Sequence, residues 1–339
     1  MQIGIVTFPT PGGSANIARA VEEFGFDSLG FADTQNLTPE VWGQLMLAAA
    51  ATERIELGTS VTNPVSRDAA VTASAALALQ LESGGRAFCG IGRGDSSMAK
   101  IGRRPASVSV FETYLEKLRA YVRGEVVERD GERSYLEWLE GREIEPPPIE
   151  VAATGPKVIG VAARHADRIT FALGARPERI AEARELALRE AASAGRDPGT
   201  LRLGAYVNCV INPSRAIARD AARGTISVLA HFSGFRGMDL DGLPEQMRAA
   251  AAHLREHYDM RNHGVAAGAH SQALDDEFLD WFGIVGPVEE ARARFAELAD
   301  LDLDFLRVIP GSRDTPPDVA AESLRLLATE IAPALRRRV

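Results

Sequence analysis

The stretch from Phe88 to Pro105 holds the residues of this chain that are best suited to bind a ligand. It begins as an apolar strand. Glycines at alternate positions then remove the side chains, so that a flat molecule can approach the backbone closely. The carboxylate of Asp95 and the hydroxyls of Ser96 and Ser97 follow directly. This pattern predicts a ligand-binding loop on an α/β scaffold. Its glycine spacing fits neither the dinucleotide-binding fingerprint nor the Walker loop.

Apolar strand patterns alternate with helical patterns along the whole chain. The strand patterns cover residues 3–8, 28–32, 55–61, 86–91, 149–153, 168–173, 201–211 and 305–309. Eight such alternations over this length predict an α/β fold, a (β/α)₈ TIM barrel, as one domain over residues 1–339. Ser14 and Thr38 are expected to cap the first two helices.

Two segments interrupt the alternation and are expected to be insertions. Residues of about 124–148 predict a hairpin that turns at Asp130 and Gly131 and lies over the barrel mouth. Residues of about 213–280 predict a helical and loop insertion. Within it, residues 260–275 lack periodicity and are expected to form a loop or lid.

The composition narrows the class of protein. The hydrophobic content of 45% and the charged content of 25% are typical of a soluble globular chain. A formal net charge of −9 without a long basic run argues against a nucleic-acid partner, and no apolar run is long enough for a membrane span. Cys89 and Cys209 lie in apolar strands, and the amino terminus lacks a signal-peptide pattern. We therefore expect a cytoplasmic protein that acts on a small molecule.

The active site of a TIM barrel lies at the carboxyl ends of its strands. These ends supply few carboxylates, no histidine and no exposed cysteine, so neither a metal site nor a nucleophilic triad is favoured. Glycine, hydroxyl and amide groups suit a large planar cofactor that carries its own chemistry. The candidate binding residues are Thr7, Asp33, Ser60, Val61, Thr62, Asn63, Gly92, Arg93, Gly94, Asp95, Ser96, Thr154, Gly155, Pro156 and Lys157.

One motif outside the strand ends matches a zinc-site pattern. His253, Glu256 and His257 have the spacing of an inverted zincin motif on a helix. The motif lies in an alanine-rich, charged helix far from any strand end, and no third ligand is evident. We therefore interpret it as a solvated helix face and expect no metal.

Four motifs in one order resemble the bacterial luciferase-like superfamily. They are Asp33 after the second strand, Leu57–Pro64, Gly90–Ser96 and Ala152–Lys157. The resemblance extends over essentially the whole chain and is strongest to the branch that uses the deazaflavin coenzyme F420. That branch includes methylenetetrahydromethanopterin reductases and F420-dependent glucose-6-phosphate and secondary alcohol dehydrogenases.

The resemblance implies positions for the coenzyme. A bulge with a cis peptide bond at Ser60–Val61 would support one face of the deazaflavin ring, and the other face would be open to substrate. The amides of residues 154–157 and the Lys157 side chain would hold the phosphate at a helix N-terminus. Asp33 and Asp95 are the carboxylates expected to face the coenzyme and to take part in catalysis. Either could instead cap a helix.

The alternative cofactor is FMN, which would imply a monooxygenase. F420 carries a phospholactyl-polyglutamate tail, which favours several cations, whereas FMN ends at one phosphate. Lys100, Arg103 and Arg104, with Arg93 nearer the strand, could meet such a tail. This favours F420 and hydride transfer between its C5 and a substrate.

The substrate and the partners are less determined. The first strand reads Ile5-Val6-Thr7 where the methanopterin reductases have a glutamate, and Thr34 and Gln35 follow Asp33 where the alcohol enzymes have an acid–base pair.

A third possibility is a barrel that binds flavin or F420 without catalysis. Alanine-rich helices and the family resemblance favour a homodimer.

Overall fold

The protein is a barrel of eight parallel strands surrounded by helices. The computed structural model describes residues 1–232 and 245–336. Strands are numbered β1 to β11 in chain order. The barrel strands are β1 Gln2–Thr7, β2 Ser28–Phe31, β3 Glu56–Thr59, β4 Ala87–Ile91, β7 Ile149–Ala153, β8 Arg168–Phe171, β9 Arg202–Ile211 and β11 Phe305–Ile309. They pair in the order β1-β2-β3-β4-β7-β8-β9-β11, and β11 pairs again with β1. The predicted TIM-barrel fold is confirmed.

The strands form where the sequence has short apolar runs, because a parallel strand in a barrel is covered on both faces. All residues of β2, β4 and β8 are buried. The helices pack outside. They are α1 Ser14–Glu23, α2 Val41–Ala49, α3 Ala69–Glu82, α4 Asp95–Ala99, α5 Val108–Val122, α6 Pro156–His165, α7 Pro177–Ser193, α8 Arg215–Phe232, α9 Glu245–His257, α10 Ala269–Gln272, α11 Asp276–Phe282, α12 Val288–Ala299, α13 Pro317–Leu326 and α14 Ala332–Arg336.

Both predicted helix caps are wrong. Ser14 is already helical, and its hydroxyl accepts from the Thr10 amide and donates to the Thr10 carbonyl. The second helix begins two residues later than the Thr38 cap predicts, after Glu40, whose carboxylate accepts from the Gly43 amide. No side chain caps the first helix, and at the second the Glu40 carboxylate makes the hydrogen bond that the sequence assigned to the Thr38 hydroxyl.

The predicted hairpin exists, but its predicted place over the barrel mouth is wrong. Strands β5 Val127–Arg129 and β6 Glu132–Ser134 pair antiparallel. Their turn at Asp130 and Gly131 has φ values of 53° and 87°, as a two-residue hairpin turn requires. The hairpin packs outside the barrel on α3 and α5. Arg129 forms an ion pair with Asp68 at 2.7 Å, and Tyr121 donates to Ser134.

The insertion predicted over residues 213–280 forms α8 to α11, and its residues 233–244 lie outside the described part. Its helices bury an apolar cluster of their own that includes Ile226, Leu254 and Phe278. Strand β10 Ile284–Gly286, which the sequence analysis missed, then pairs parallel with the outer half of β9. Whether the chain is a single domain stays a prediction. Among the helices of residues 1–232 and 245–336, none combines the length and apolar character that a membrane span requires.

The homodimer also stays a prediction. The neighbouring helices α2, α3 and α5 expose the apolar side chains of Leu47, Val71 and Val110, each more than half accessible.

A buried ion pair lies inside the barrel. The Nε of Arg307 donates to Glu150 Oε1 at 3.0 Å, and Thr170 donates to the same oxygen at 2.7 Å. The Arg307 guanidinium also lies 4.3 Å from the centre of the Phe88 ring. Burial alone would lower the pKa of Arg307, but the Glu150 carboxylate outweighs it and raises that pKa. The Arg307 guanidinium therefore stays charged in the interior.

Replacing one partner of this pair is expected to destabilise the fold strongly. The substitution Arg307→Leu leaves Glu150 buried without a countercharge, and we expect the free energy of unfolding to fall by about 3–5 kcal/mol. Urea denaturation followed by circular dichroism measures it. The control is Arg325→Leu, which breaks the exposed pair with Glu322 and is expected to leave the stability nearly unchanged. Equal losses in the two variants would contradict the role of the buried pair.

Candidate active site

The end of β3 carries a bulge that shapes the site. Leu57 pairs with Ala87, but Thr62 pairs with Ile91, so the β3 side holds one more residue than the β4 side between these two pairs. The peptide bond between Ser60 and Val61 in this segment is cis, as the family resemblance predicts.

Two glycines leave room for this segment. A Cβ on Gly90 would lie 1.9 Å from the Thr59 carbonyl oxygen, and one on Gly30 would lie 2.7 Å from the Ser60 Cβ. Ser60 is also hydrogen-bonded to Tyr206 across the barrel, at 2.9 Å between the two oxygens. Neighbouring strands therefore fix the position of the bulge.

A cavity of about 240 Å³, here called the central cavity, lies at the carboxyl ends of the strands. Much of its lining is apolar, and the bulge forms part of its wall. The predicted residues that line it are Thr7, Asp33, Ser60, Val61, Gly92, Arg93, Gly94, Asp95, Ser96 and Thr154. The strand ends therefore bring together ten of the candidate binding residues, and their roles stay predictions.

Thr62 and Asn63 do not line the central cavity but support it from behind. The Thr62 hydroxyl donates to Asp33 Oδ2 at 2.7 Å. The side-chain oxygen of Asn63 accepts from the amides of Val65 and Ser66, which closes the turn after the bulge.

The two predicted catalytic carboxylates differ in their surroundings. Asp33 is buried, and the same Oδ2 that accepts from Thr62 forms an ion pair with Arg67. Asp33 thus acts as an acceptor in a fixed network rather than as a helix cap. Asp95 is the first residue of α4, after Gly94 with a φ of 92°. It lies where the central cavity meets a second, larger pocket.

This second pocket, about 1170 Å³ in volume, is called the cationic groove. Gly155, Pro156 and Lys157 line it at the N-terminus of α6. Its cationic lining residues are Arg93, Arg103, Arg104, Lys157, Arg179 and Arg255, and its acidic ones are Asp95 and Glu182. This excess of positive charge stands out in a chain whose net charge is −9.

One predicted cation lies elsewhere. The ammonium group of Lys100 donates to the carbonyl of Met260 at 2.7 Å, and Lys100 is not among the residues that line the groove. The reason is tertiary packing, because α4 places this side chain against the 260–275 segment.

The sequence analysis missed a histidine in the site. His263 lines the central cavity although the strand ends supply no histidine, because it comes from the segment expected to be a loop or lid. Its Nδ1 is hydrogen-bonded to the hydroxyl of Tyr258 at 2.8 Å. Burial, together with the positive charges of nearby Lys100 and Arg313, lowers the pKa of His263 to about 3. The ring is therefore neutral at physiological pH.

The zincin-like motif forms a helix surface. The rings of His253 and His257 stack on each other with centres 4.7 Å apart. Within the described part of the chain, no three histidine, cysteine, aspartate or glutamate side chains converge in a way that could hold a metal ion. The two cysteines are buried, and burial raises the pKa of Cys89 to about 12.

A side chain at Gly90 is expected to disturb the bulge. In Gly90→Ala the new Cβ meets a backbone oxygen, which cannot move away as a flexible side chain would. We expect the free energy of unfolding to fall by at least about 1–3 kcal/mol, measured by urea denaturation. The matched control is Gly155→Ala, whose Cβ would meet nothing within 4 Å. A Gly90→Ala variant as stable as this control would contradict the close approach.

Acidification is expected to destabilise the fold through His263. An unfolded chain takes up a proton on histidine at a pH of about 6.5, whereas the folded chain resists this until a pH of about 3. The contribution of neutral His263 to the stability of the fold is therefore fully present above about pH 6.5. It is lost as the pH falls from about 6.5 towards about 3.

Urea denaturation of the wild type and of His263→Gln between about pH 7.5 and about pH 4.5 measures this effect. Glutamine does not titrate, so the stability of the wild type relative to the variant should decrease as the pH falls. A difference that stays constant over this range would show that His263 is not kept neutral.

Comparisons with known proteins identify the family. The profile described as luciferase-like monooxygenase matches residues 4–304. The 5,10-methylenetetrahydromethanopterin reductase of Methanolobus tindarius is 28% identical over 326 residues, which cover 94% of each chain.

Two solved structures share the fold. The coenzyme F420 dependent tetrahydromethanopterin reductase from Methanopyrus kandleri has a TM-score of 0.77 at 21% identity, covering 98% of this chain and 99% of that one. An F420-dependent secondary alcohol dehydrogenase in complex with an F420-acetone adduct has a TM-score of 0.76 at 17% identity, covering 99% of both chains. With its profile match spanning most of the barrel, this chain belongs to the luciferase-like monooxygenase family.

Proposed function

We propose that this protein is an F420-dependent oxidoreductase, which transfers a hydride between the coenzyme and a small organic substrate. The observation that carries the proposal is the junction of a mostly apolar cavity with a large cationic groove. F420 has the matching shape, because a flat ring system is followed by a phosphate and an anionic tail. The relative from Methanolobus tindarius is named as a reductase, and both structural neighbours are named as F420-dependent enzymes, which supports the proposal.

The residues of the central cavity fit the ring of such a coenzyme. Ser60 and Val61 form a wall whose position is fixed by the neighbouring strands. Gly92 has no side chain, which leaves its backbone accessible to a flat ligand. Asp33 and Asp95 both line the central cavity, and we assign them to orienting the ring and substrate. When bound there, F420 would supply the hydride chemistry at its C5.

The N-terminus of α6 fits the phosphate. Gly155 is its capping residue and supplies no side-chain hydrogen bond, so the first amides of the helix are open to an anion. Thr154 and Lys157 stand on either side of it. Arg103 and Arg104 line the same groove and could bind an oligoglutamate tail that continues from the phosphate.

FMN is the competing cofactor, and the family name points to monooxygenases. The phosphate site at α6 would suit FMN equally well. The groove beyond it would have no ligand group to hold, since FMN ends at its phosphate. The several cations that line the groove therefore favour F420. A barrel that binds the cofactor without catalysis is the remaining alternative, and turnover of any substrate distinguishes it.

Fluorescence titration of the cofactor-free protein with F420 and with FMN tests the proposal. We expect F420 to bind at least about tenfold more tightly than FMN, a difference of about 1.4 kcal/mol. Tighter binding of FMN would contradict the proposal and favour a monooxygenase. Binding of neither cofactor would contradict the assignment of the central cavity.

The cations of the groove provide a sharper prediction. The double substitution Arg103→Gln and Arg104→Gln removes two charges from the tail region, and exposed ion pairs contribute about 0.2–1 kcal/mol each. We therefore expect F420 affinity to fall by roughly twofold to thirtyfold, with little change for a tailless F420 analogue. The control is Arg133→Gln on the outer hairpin. Equal losses for the tailed and tailless ligands would contradict the placement of the tail.

A further inference from the structure

The central cavity has a neighbouring space on each of two opposite sides of the barrel mouth. The cationic groove adjoins it at the ends of β4 and β7, and both spaces are lined by Arg93, Asp95 and Thr154. A third space, here called the opposite pocket, adjoins the cavity at the ends of β1 and β11 and has a volume of about 600 Å³. Because β7 is the fourth strand after β1 in a barrel of eight, the groove and the opposite pocket lie across the cavity from each other.

The opposite pocket is continuous with the central cavity and separate from the groove. The residues that line both the cavity and the opposite pocket are Val6, Thr7, Phe8 and Ile309. Among the described residues, none lines both the groove and the opposite pocket. The proposed coenzyme would occupy the cavity and the groove, which leaves the opposite pocket for the second reactant. The cavity is the smallest of the three spaces, so a substrate larger than its reacting group has to extend out of it.

The opposite pocket carries one formal charge, which is positive. No aspartate or glutamate is among the described residues that line it, and its charged lining residue is Arg313. Two of its hydroxyls are already used, because Thr38 donates to the carbonyl of Thr34 at 3.2 Å and Thr315 donates to that of Ala221 at 2.8 Å. Its apolar lining includes four prolines, which stiffen the backbone around it: Pro9, Pro11, Pro39 and Pro310. The pocket therefore suits an apolar body that ends in an anion.

Arg313 has no countercharge within the described part of the chain. No ion pair among residues 1–232 and 245–336 includes it. The carboxylate next to it in the sequence, that of Asp314, is already used, because it accepts from the amides of Ala266 and Ala267 at 2.7 and 3.0 Å. The exposed guanidinium of Arg313 therefore has its positive charge available for a ligand.

The position of Arg313 is fixed although the side chain is exposed. Its Nη1 donates to the carbonyl of His263 at 3.2 Å, and its Cζ lies 6.0 Å from the centre of the Phe8 ring. Its backbone amide donates to the carbonyl of Gly264 at 2.9 Å. These contacts leave the Nε and Nη2 donors without an acceptor in the described residues. A side chain that is already held in place loses less conformational entropy when it binds an anion.

We propose that the opposite pocket binds the distal part of the substrate, and that this part ends in a carboxylate or phosphate monoester that pairs with Arg313. The reacting carbon of the same molecule lies in the central cavity beside the coenzyme. This inference rests on the proposed function. A planar guanidinium suits both kinds of anion, because its parallel N–H groups match two oxygens of either. Arg313 is thus assigned to substrate specificity and not to the chemical step.

Calorimetric titration of the full chain saturated with F420 tests the preference for an anion. The probes share a phenylalkyl body and differ in the end group: phenylbutyrate, phenylpropyl phosphate and the neutral phenylbutyramide. We expect at least one anion to bind at least about threefold more tightly than the amide, within the range that an exposed ion pair supplies. The tighter of the two anions identifies the end group. Equal binding of the three probes, tighter binding of the amide, or binding of none would overturn the proposal.

Substitutions of Arg313 localise the effect. The preference for anions should disappear in Arg313→Gln and be kept in part in Arg313→Lys, whose ammonium group has the charge without the planar fork. In Arg313→Glu the order should reverse, so that the cation phenylbutylammonium binds more tightly than phenylbutyrate. The control is Arg261→Gln, whose side chain is 92% exposed, and it should keep the preference of the wild type. An anion preference that survives in Arg313→Gln, or that is lost equally in Arg261→Gln, would overturn the assignment.

F420 titration of the same variants separates this inference from the proposed function. All of them should bind F420 as the wild type does, because Arg313 lines neither the central cavity nor the groove. Binding of F420 without any anion preference would contradict this inference alone. Failure of the wild type to bind F420 would contradict the proposed function. The probe titration without coenzyme would then decide whether Arg313 binds anions.

Discussion

The site depends on how closely the backbones of β3 and β4 approach each other. One extra residue on the β3 side must be accommodated between two paired positions, and the carbonyl of Thr59 lies where any side chain on residue 90 would be. Because Gly90 leaves that space, the chain can continue to Thr62 and resume pairing with β4. This wall of the central cavity is thus formed by a backbone segment of β3 that packs closely against the backbone of β4, and it gives a rigid support for a planar ligand.

Side chains in the barrel interior connect the bulge to the opposite side of the barrel. Ser60 in the bulge is hydrogen-bonded to Tyr206 on β9, and below them the Glu150–Arg307 pair fills the interior. Burial raises the pKa of Tyr206, and the negative charge of Glu150 acts in the same direction, so the phenol keeps its proton. On the same side of the barrel, β9 leads into α8, whose residues Thr225, Val228 and Leu229 also line the central cavity.

Much of the fold could be predicted from the sequence because local pattern and burial agree. The bounds of β7, β11 and α5 match the predicted ones, since each is an uninterrupted apolar run or a helical repeat. The hairpin turn was also evident, but its position was not, because it depends on an ion pair between Arg129 and Asp68, far apart in sequence.

His263 shows the same limit at the site. It lies in a segment without periodicity, and its position at the central cavity involves contacts distant in sequence, such as the hydrogen bond that Arg313 donates to its carbonyl. The residues that follow strands could be placed in advance, because parallel strands end at one rim of a barrel. A residue that reaches this rim from a lid leaves no such pattern.

A crystal structure of the protein grown with F420 tests the central claim most directly. The account predicts electron density for the ring against Ser60 and Val61, for the phosphate at the N-terminus of α6, and for the tail along Arg103 and Arg104. Density for the ring outside the central cavity, or for the tail in the pocket lined by Phe8 and Arg313, would contradict the account.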